Sequence, residues 1–170
     1  MIIVPTKKSL PLFNEFPVST NTSSSTERSF YSWHANYFTL DRKKILVLVN
    51  DLSFSPIVLA DINATNRQHL SDYIKEGIEH VFSYSTDKPY QLKKYFLRAG
   101  RMEISYAHNR SISGINNNMI QTLKSYPEDI DLNSRLQTSV MESLAKTPYR
   151  SMTPEYSFSI DVVKKELDKL

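Results

Sequence analysis

The 170-residue chain is 40% hydrophobic and 11% aromatic, with 21 Lys plus Arg against 18 Asp plus Glu, a formal charge of +3. That composition suits one globular domain with a sizeable core, and the charge excess falls well short of the dense basic stripe of a dedicated DNA-binding surface. The absence of cysteine excludes disulfides, thiolate zinc sites and cysteine nucleophiles, and three glycines leave no Gly-rich phosphate loop.

Taken in chain order, MIIV at residues 1–4 reads as a short strand. The opening MIIVPTKK is too short and wrongly flanked for a signal peptide, and no apolar run approaches the length of a membrane span. A cytoplasmic protein with no membrane partner is expected. Residues 19–29, STNTSSSTERS, carry almost no apolar content and read as a flexible Ser/Thr-rich loop within a single domain spanning 1–170.

A β-rich part follows. Residues 37–40 and 44–49 are strand-like, joined by the charged corner Asp41-Arg42-Lys43, and ILVLV at 45–49 lacks alternation, as a central strand covered on both faces should. Asn50-Asp51 opens a second turn, helped by Ser53, Ser55 and Pro56, and residues 57–62 return as a third strand. Two tight connections in a row predict an antiparallel meander.

Beyond Ile62 the period changes to that of helices. Leu70, Tyr73, Ile74, Ile78, Val81 and Phe82 follow three-four spacing. Asp87 caps a second predicted helix, with Pro89 in its first turn and Gly100 after its end. Met102, Ile104 and Tyr106 alternate with polar or small residues as a strand would. Ser111 or Ser113 then starts a helix carrying Ile115, Met119 and Leu123, ending before Pro127. A helix over 131–146, an extended piece at 156–159 and a terminal helix with Val162, Val163 and Leu167 complete the chain. The predicted class is α+β: an antiparallel sheet, made of a meander over about 37–62 plus strands near 2–5 and 102–107, packed against several helices.

Few residues are arranged for chemistry. His69 and His80 share a helix but stand about 16 Å apart at 1.5 Å per residue, too far to hold one ion. No HExxH or GxSxG pattern occurs, and Asp51 and Asp61 sit near strand ends without a distinguishing partner. Neither a metal nor a cofactor is expected. The corner Arg42-Lys43-Lys44 lies near Tyr31, Trp33, His34 and Tyr37, a mixture of cations and aromatics that could hold a nucleic-acid strand, although hairpin corners are often charged simply because they are wet. More unusual is HNRSISGINNN at 108–118, where a strand meets a helix. Asn109, Arg110, Ser111, Ser113, Asn116 and Asn117 concentrate donors where a helix N-terminus exposes N–H groups, which suits a phosphate, a carboxylate or a nucleotide edge. The structural alternative is a helix cap, with Asn109 and Ser111 satisfying backbone groups.

The order of MIIVPTKK, WHANYFTLDRKK, VND, HNRSISGINNNM and LAKTPYRSM resembles a small uncharacterised bacterial domain-of-unknown-function family. The resemblance implies one compact α+β domain with Trp33, His34, Asn36, Arg42, Asn50, Asp51, Asn109, Arg110 and Ser111 at signature positions, and it implies no activity. Pro5 stands where similar sequences often end the first strand in cysteine, so no thiol role transfers.

The leading functional expectation is a binding protein for a phosphate-bearing small molecule or a nucleic-acid end. Its polar pocket would be assembled from Trp33, His34, Asn36 and Arg42 on one segment and Asn109, Arg110, Ser111 and Asn116 on the other. Nucleotides, nucleic acid and a protein are the candidate partners. An alternative is a protein-interaction module, antitoxin-like or a phage-encoded inhibitor. A second alternative is a hydrolase-type enzyme with His34 as general base and Arg110 as anion clamp.

Overall fold

The computed structural model describes residues 1–20, 29–150 and 156–170. Most of the predicted Ser/Thr-rich loop, residues 21–28, therefore lies outside the described residues, as do Ser151 and Met152 of LAKTPYRSM.

The meander forms as its turn residues dictate. Strands β2 (Ser32–Leu40) and β3 (Lys43–Asn50) pair antiparallel from Leu40↔Lys43 back to Trp33↔Asn50. Their two-residue connection, Asp41-Arg42, has φ of 46° and 66°, the doubly left-handed geometry that matches the twist of a tight hairpin. The second turn is organised by Asn50. Its Oδ1 accepts from the Leu52 and Ser53 N–H groups and from the Ser53 hydroxyl, while its Nδ2 donates to the Phe30 carbonyl. Strand β4 (Pro56–Leu59) then returns alongside β3.

The sheet is mixed, not antiparallel throughout as predicted. Strand β1 (Ile2–Pro5) runs parallel to β2, from Ile2↔Ser32 to Pro5↔Ala35, and also parallel to a two-residue strand β5 (Glu103–Ile104), giving the order β4-β3-β2-β1-β5. The reason is connection length. Residues 6–31 separate β1 from β2, long enough to carry the chain back to its starting edge, so nothing local imposes antiparallel pairing. Strand β2 also begins well before residue 37, which places Trp33, His34 and Asn36 inside the sheet.

Helices cover both faces. Helix α1 (Leu70–Ser83) packs against β4, with Leu70, Ile74, Ile78, Val81 and Phe82 buried as their spacing requires. Helix α2 (Pro89–Ala99) has Pro89 at its first position, and Gly100 ends it at φ 63°; its cap position is Lys88, one residue later than predicted. Trp33, Phe30, Phe82 and Tyr95 meet on this side, Phe30 stacking on Phe82 with centroids 5.2 Å apart. Helix α3 (Arg110–Ser125) lies against β2 and β3 and buries Ile112, Met119, Ile120 and Leu123. Because neighbouring strand residues point to opposite faces, Trp33 faces α1 and α2 while His34 faces α3.

Helix α4 (Thr138–Ala145) is shorter than the 131–146 pattern predicted. Gln137 closes the preceding residues into a turn, its Oε1 accepting from the Asp131 N–H at 2.8 Å and its Nε2 donating to the Asp131 carbonyl at 2.7 Å. Leu136 bridges to Leu59 and so covers the β4 edge, which would otherwise offer unpaired backbone groups to another chain. A two-stranded piece, β6 (Tyr149–Arg150) with β7 (Tyr156–Ser157), and helix α5 (Ser159–Leu167) complete the fold. Among the described residues no helix is long and apolar enough to cross a membrane.

One glycine sets the α1–sheet distance. A Cβ on Gly77 would stand 2.6 Å from Ile57 Cγ2. Gly77→Ala should therefore destabilise the fold by about 1–3 kcal/mol through overpacking, despite alanine's better helix propensity. Denaturant unfolding checks this; a stabilised variant would mean that α1 sits farther from β4.

Candidate functional site

The only buried ion-pair geometry among the described residues joins β2 to the end of β3. His34 Nδ1 and Asp51 Oδ1 are 2.7 Å apart, and the two residues are 3% and 7% exposed. On the other side of the ring, Nε2 accepts the backbone N–H of Asn109 at 3.0 Å. These two bonds decide the tautomer: Nδ1 carries the proton and donates a hydrogen bond to the carboxylate, and Nε2 is the acceptor. His34 thus ties the start of α3 to the sheet, with no ring lone pair left for a substrate.

The helix start is capped from within. Asn109 Oδ1 accepts from the Ser111 and Ile112 N–H groups at 2.9 and 3.3 Å, and the Asn109 carbonyl accepts from Ser113 N–H. This is the helix-cap arrangement, and it occupies N–H groups that an anion would otherwise use. Seven residues after Asn109, Asn116 is 2% exposed and donates through Nδ2 to two sheet carbonyls, Val47 O at 3.0 Å and His34 O at 3.3 Å. Its Oδ1 is buried without a hydrogen-bond partner.

Between α3 and the end of β1 is a cavity of about 90 Å³, lined by Val4, Thr6, His34, Ala35, Asn36, Ser113, Asn116 and Asn117. Asn36 joins its walls: Oδ1 accepts from the Thr6 hydroxyl at 3.1 Å, and Nδ2 donates to Asn117 Oδ1 at 3.2 Å. The lining contains no carboxylate and no ammonium or guanidinium group. Cations stand outside it. Arg110 is exposed on α3, three and seven residues before Ser113 and Asn117, so the three share one helical face with Arg110 at its opening end. His108 packs edge-on against His34 with centroids 6.0 Å apart. Burial, and then the neighbouring His34 and Lys7, hold its pKa below the usual histidine value.

The sequence-predicted residues therefore divide. His34, Asn36 and Asn116 line one cavity, and Asn109, Arg110 and Ser111 sit at the helix start beside it. Trp33 goes to the other face of the sheet, fully buried, with Nε1 donating to the Tyr95 hydroxyl at 3.1 Å. Arg42 lies at the hairpin tip, six residues along β2 from Asn36 and about 20 Å away at the rise of an extended strand. Thr6 and Asp51 were not among the predicted ligand residues. Asp51 had a legible signal: a two-residue turn at 41–42 sets His34 opposite Val49, making Asp51 its diagonal neighbour on the same face. Thr6 had none, because it arrives through the parallel pairing of β1.

A family model described as "Domain of unknown function (DUF6933)" matches residues 2–162. The chain belongs to this family. The matched span contains the cavity, the His34–Asp51 pair and the whole of α3. No curated protein matches the chain. Among the described residues of this DUF6933 protein, no group of three His, Asp or Glu side chains is placed to hold a metal ion.

Proposed function

We propose that the protein is a single-domain cytoplasmic binding protein for a phosphate-bearing small molecule. The observation that carries this reading is the uncharged cavity of about 90 Å³, lined in part by Thr6, Asn36, Ser113 and Asn117, beside the first turn of α3 where Arg110 is exposed. An uncharged part of the ligand occupies the cavity, and its phosphate stays at the mouth, where Arg110 offers a forked donor and Lys7 a second positive charge. The cavity has room for only a few water-sized groups. With Trp33 inside the core, a nucleic-acid end would engage through its terminal sugar-phosphate and not through a stacked base. Both ring nitrogens of His34 are occupied, which favours binding over general-base catalysis.

Thermal-shift and calorimetric titration with a panel of sugar phosphates, nucleotides and short oligonucleotides tests this reading. Arg110 is exposed, so Arg110→Ala should leave stability within about 0.5 kcal/mol of wild type. Losing a charged, forked contact should weaken phosphate-ester binding by about tenfold or more. Equal affinities in the two proteins, or no binding by the wild type, would remove the proposal.

A second reading, a protein-interaction module, is favoured by Tyr90 and Leu97 on α2. They are exposed, seven residues apart and hence on one face.

A further inference from the structure

Strand β1 ends opposite Ala35 while β2 runs on to Leu40, so from Asn36 onward β2 has an edge that β1 does not pair. Lys8 crosses that edge. Its Nζ donates to the Tyr37 carbonyl at 3.0 Å and stands 4.3 Å from the centroid of the Tyr37 ring. Lys44 shares a face with Tyr37 through the Thr39↔Lys44 pair and brings a second ammonium to 5.8 Å from the same ring. Two like charges are thus held around one half-buried tyrosine, close enough to repel each other. Lys7 continues the strip toward the cavity. Burial, His34 and Lys7 together lower the His108 pKa, and His108 packs against His34 beside Asn109 and Arg110. Among the described residues none of Lys7, Lys8, Lys44 and Arg110 takes part in an ion pair. The rest of the basic corner is balanced: Lys43 lies 3.7 Å from Asp61 Oδ2, and Arg42 follows Asp41 at the hairpin tip.

We propose that this strip docks a single nucleic-acid strand, whose phosphates lie along Lys44, Lys8 and Lys7 and whose terminal sugar-phosphate reaches the cavity mouth at Arg110. The inference rests on the phosphate reading above and extends it from one phosphate to several. Ammoniums gathered without carboxylates are relieved by a repeating anion. The length also fits. From Thr39, level with Lys44, to His34, level with Asn109, β2 spans about 17 Å at the rise of an extended strand. A strand rising about 3.4 Å per nucleotide sets about five phosphates over that distance. An acidic peptide matches the charges, but its termini are charged as well. The end of a nucleic-acid strand is an uncharged sugar next to a phosphate, which matches an uncharged cavity next to Arg110.

Calorimetric titrations of 5′-phosphorylated hexathymidylate, thymidine monophosphate and hexaglutamate test the proposal. The proteins are wild type, Lys8→Gln, Lys44→Gln and Lys146→Gln; Lys146 pairs with Glu142 on α4, so its loss removes the same charge elsewhere. Hexathymidylate should bind the wild type at least about tenfold more tightly than the monophosphate. Lys8→Gln and Lys44→Gln should each weaken hexathymidylate about threefold or more and make the slope of log K against log salt shallower by about 0.7. Monophosphate binding should be unchanged in both, which also reports that they are folded, and Lys146→Gln should match the wild type throughout. Equal binding of hexathymidylate and monophosphate would overturn the strip and leave the single-phosphate reading standing. So would hexathymidylate binding that ignores Lys8→Gln and Lys44→Gln, or that falls as far in Lys146→Gln. Hexaglutamate bound as tightly as hexathymidylate would overturn the nucleic-acid assignment. No binding of either nucleotide would overturn both readings.

Discussion

Trp33→Ala is expected to destabilise the protein by about 3–5 kcal/mol, the usual range for deleting a large aromatic from a packed core. The indole is fully buried, stacks near Phe82 with centroids 6.0 Å apart, and donates its Nε1–H to Tyr95. The Tyr95 hydroxyl donates in turn to the Phe30 carbonyl at 3.0 Å, and burial raises its pKa well above the ordinary phenol value, which keeps the proton on the oxygen at neutral pH. Alanine would open a cavity under β2 and leave the Tyr95 oxygen short of one donor. Trp33→Phe keeps most of the apolar contact and should lose about 1–2 kcal/mol. Equilibrium unfolding in urea, with an unchanged m-value, measures both. A loss below about 1 kcal/mol for Trp33→Ala would show that the ring is not part of the core. Because Trp33 faces away from the cavity, Trp33→Phe should leave ligand affinity unchanged.

His34→Ala should cost about as much, roughly 3–5 kcal/mol, by a different route. It strands the Asp51 carboxylate, only 7% exposed, without its donor, and it leaves the Asn109 N–H without an acceptor where α3 begins. Removing the donor from a buried carboxylate is more damaging than removing both partners. The double variant His34→Ala with Asp51→Ala should therefore be less destabilised than the two single losses added together, and the difference is the coupling between the residues. Asp51→Asn keeps an oxygen that can accept from Nδ1 and should lose only about 1 kcal/mol. Hydrogen exchange at the Asn109 amide adds a local readout. Protection lost in His34→Ala but kept in Asp51→Asn places the helix anchor on the ring; protection kept in both would remove His34 from that role.

These two neighbours show how far local pattern reaches. Strand and helix types were legible wherever side chains repeat with a period: ILVLV as a covered strand, the three-four spacing of α1, and Pro89 and Gly100 at the two ends of α2. The meander was legible because its turns are short. The start of β2 was not, since polar His34 and Asn36 break the apolar pattern by which a covered strand is read. That face is covered by α3, whose Asn109 and Asn116 come from 75 and 82 residues away to bind His34. A covering helix converts polar strand residues into a satisfied interior, and no window of sequence contains both partners.

The sequence by itself determined the α+β class, the antiparallel meander and the cores of the main helices. These follow from contacts within a turn, a hairpin or a helical repeat, whose energetics depend on residues a few positions apart. Only the tertiary structure decided that β1 runs parallel to β2 and delivers Thr6 to the cavity, that Trp33 belongs to the core and His34 to the site, and that Asn116 turns an unpaired oxygen away from the sheet carbonyls. Those outcomes depend on which distant groups can satisfy a buried donor or acceptor, and that is settled only when the whole chain packs.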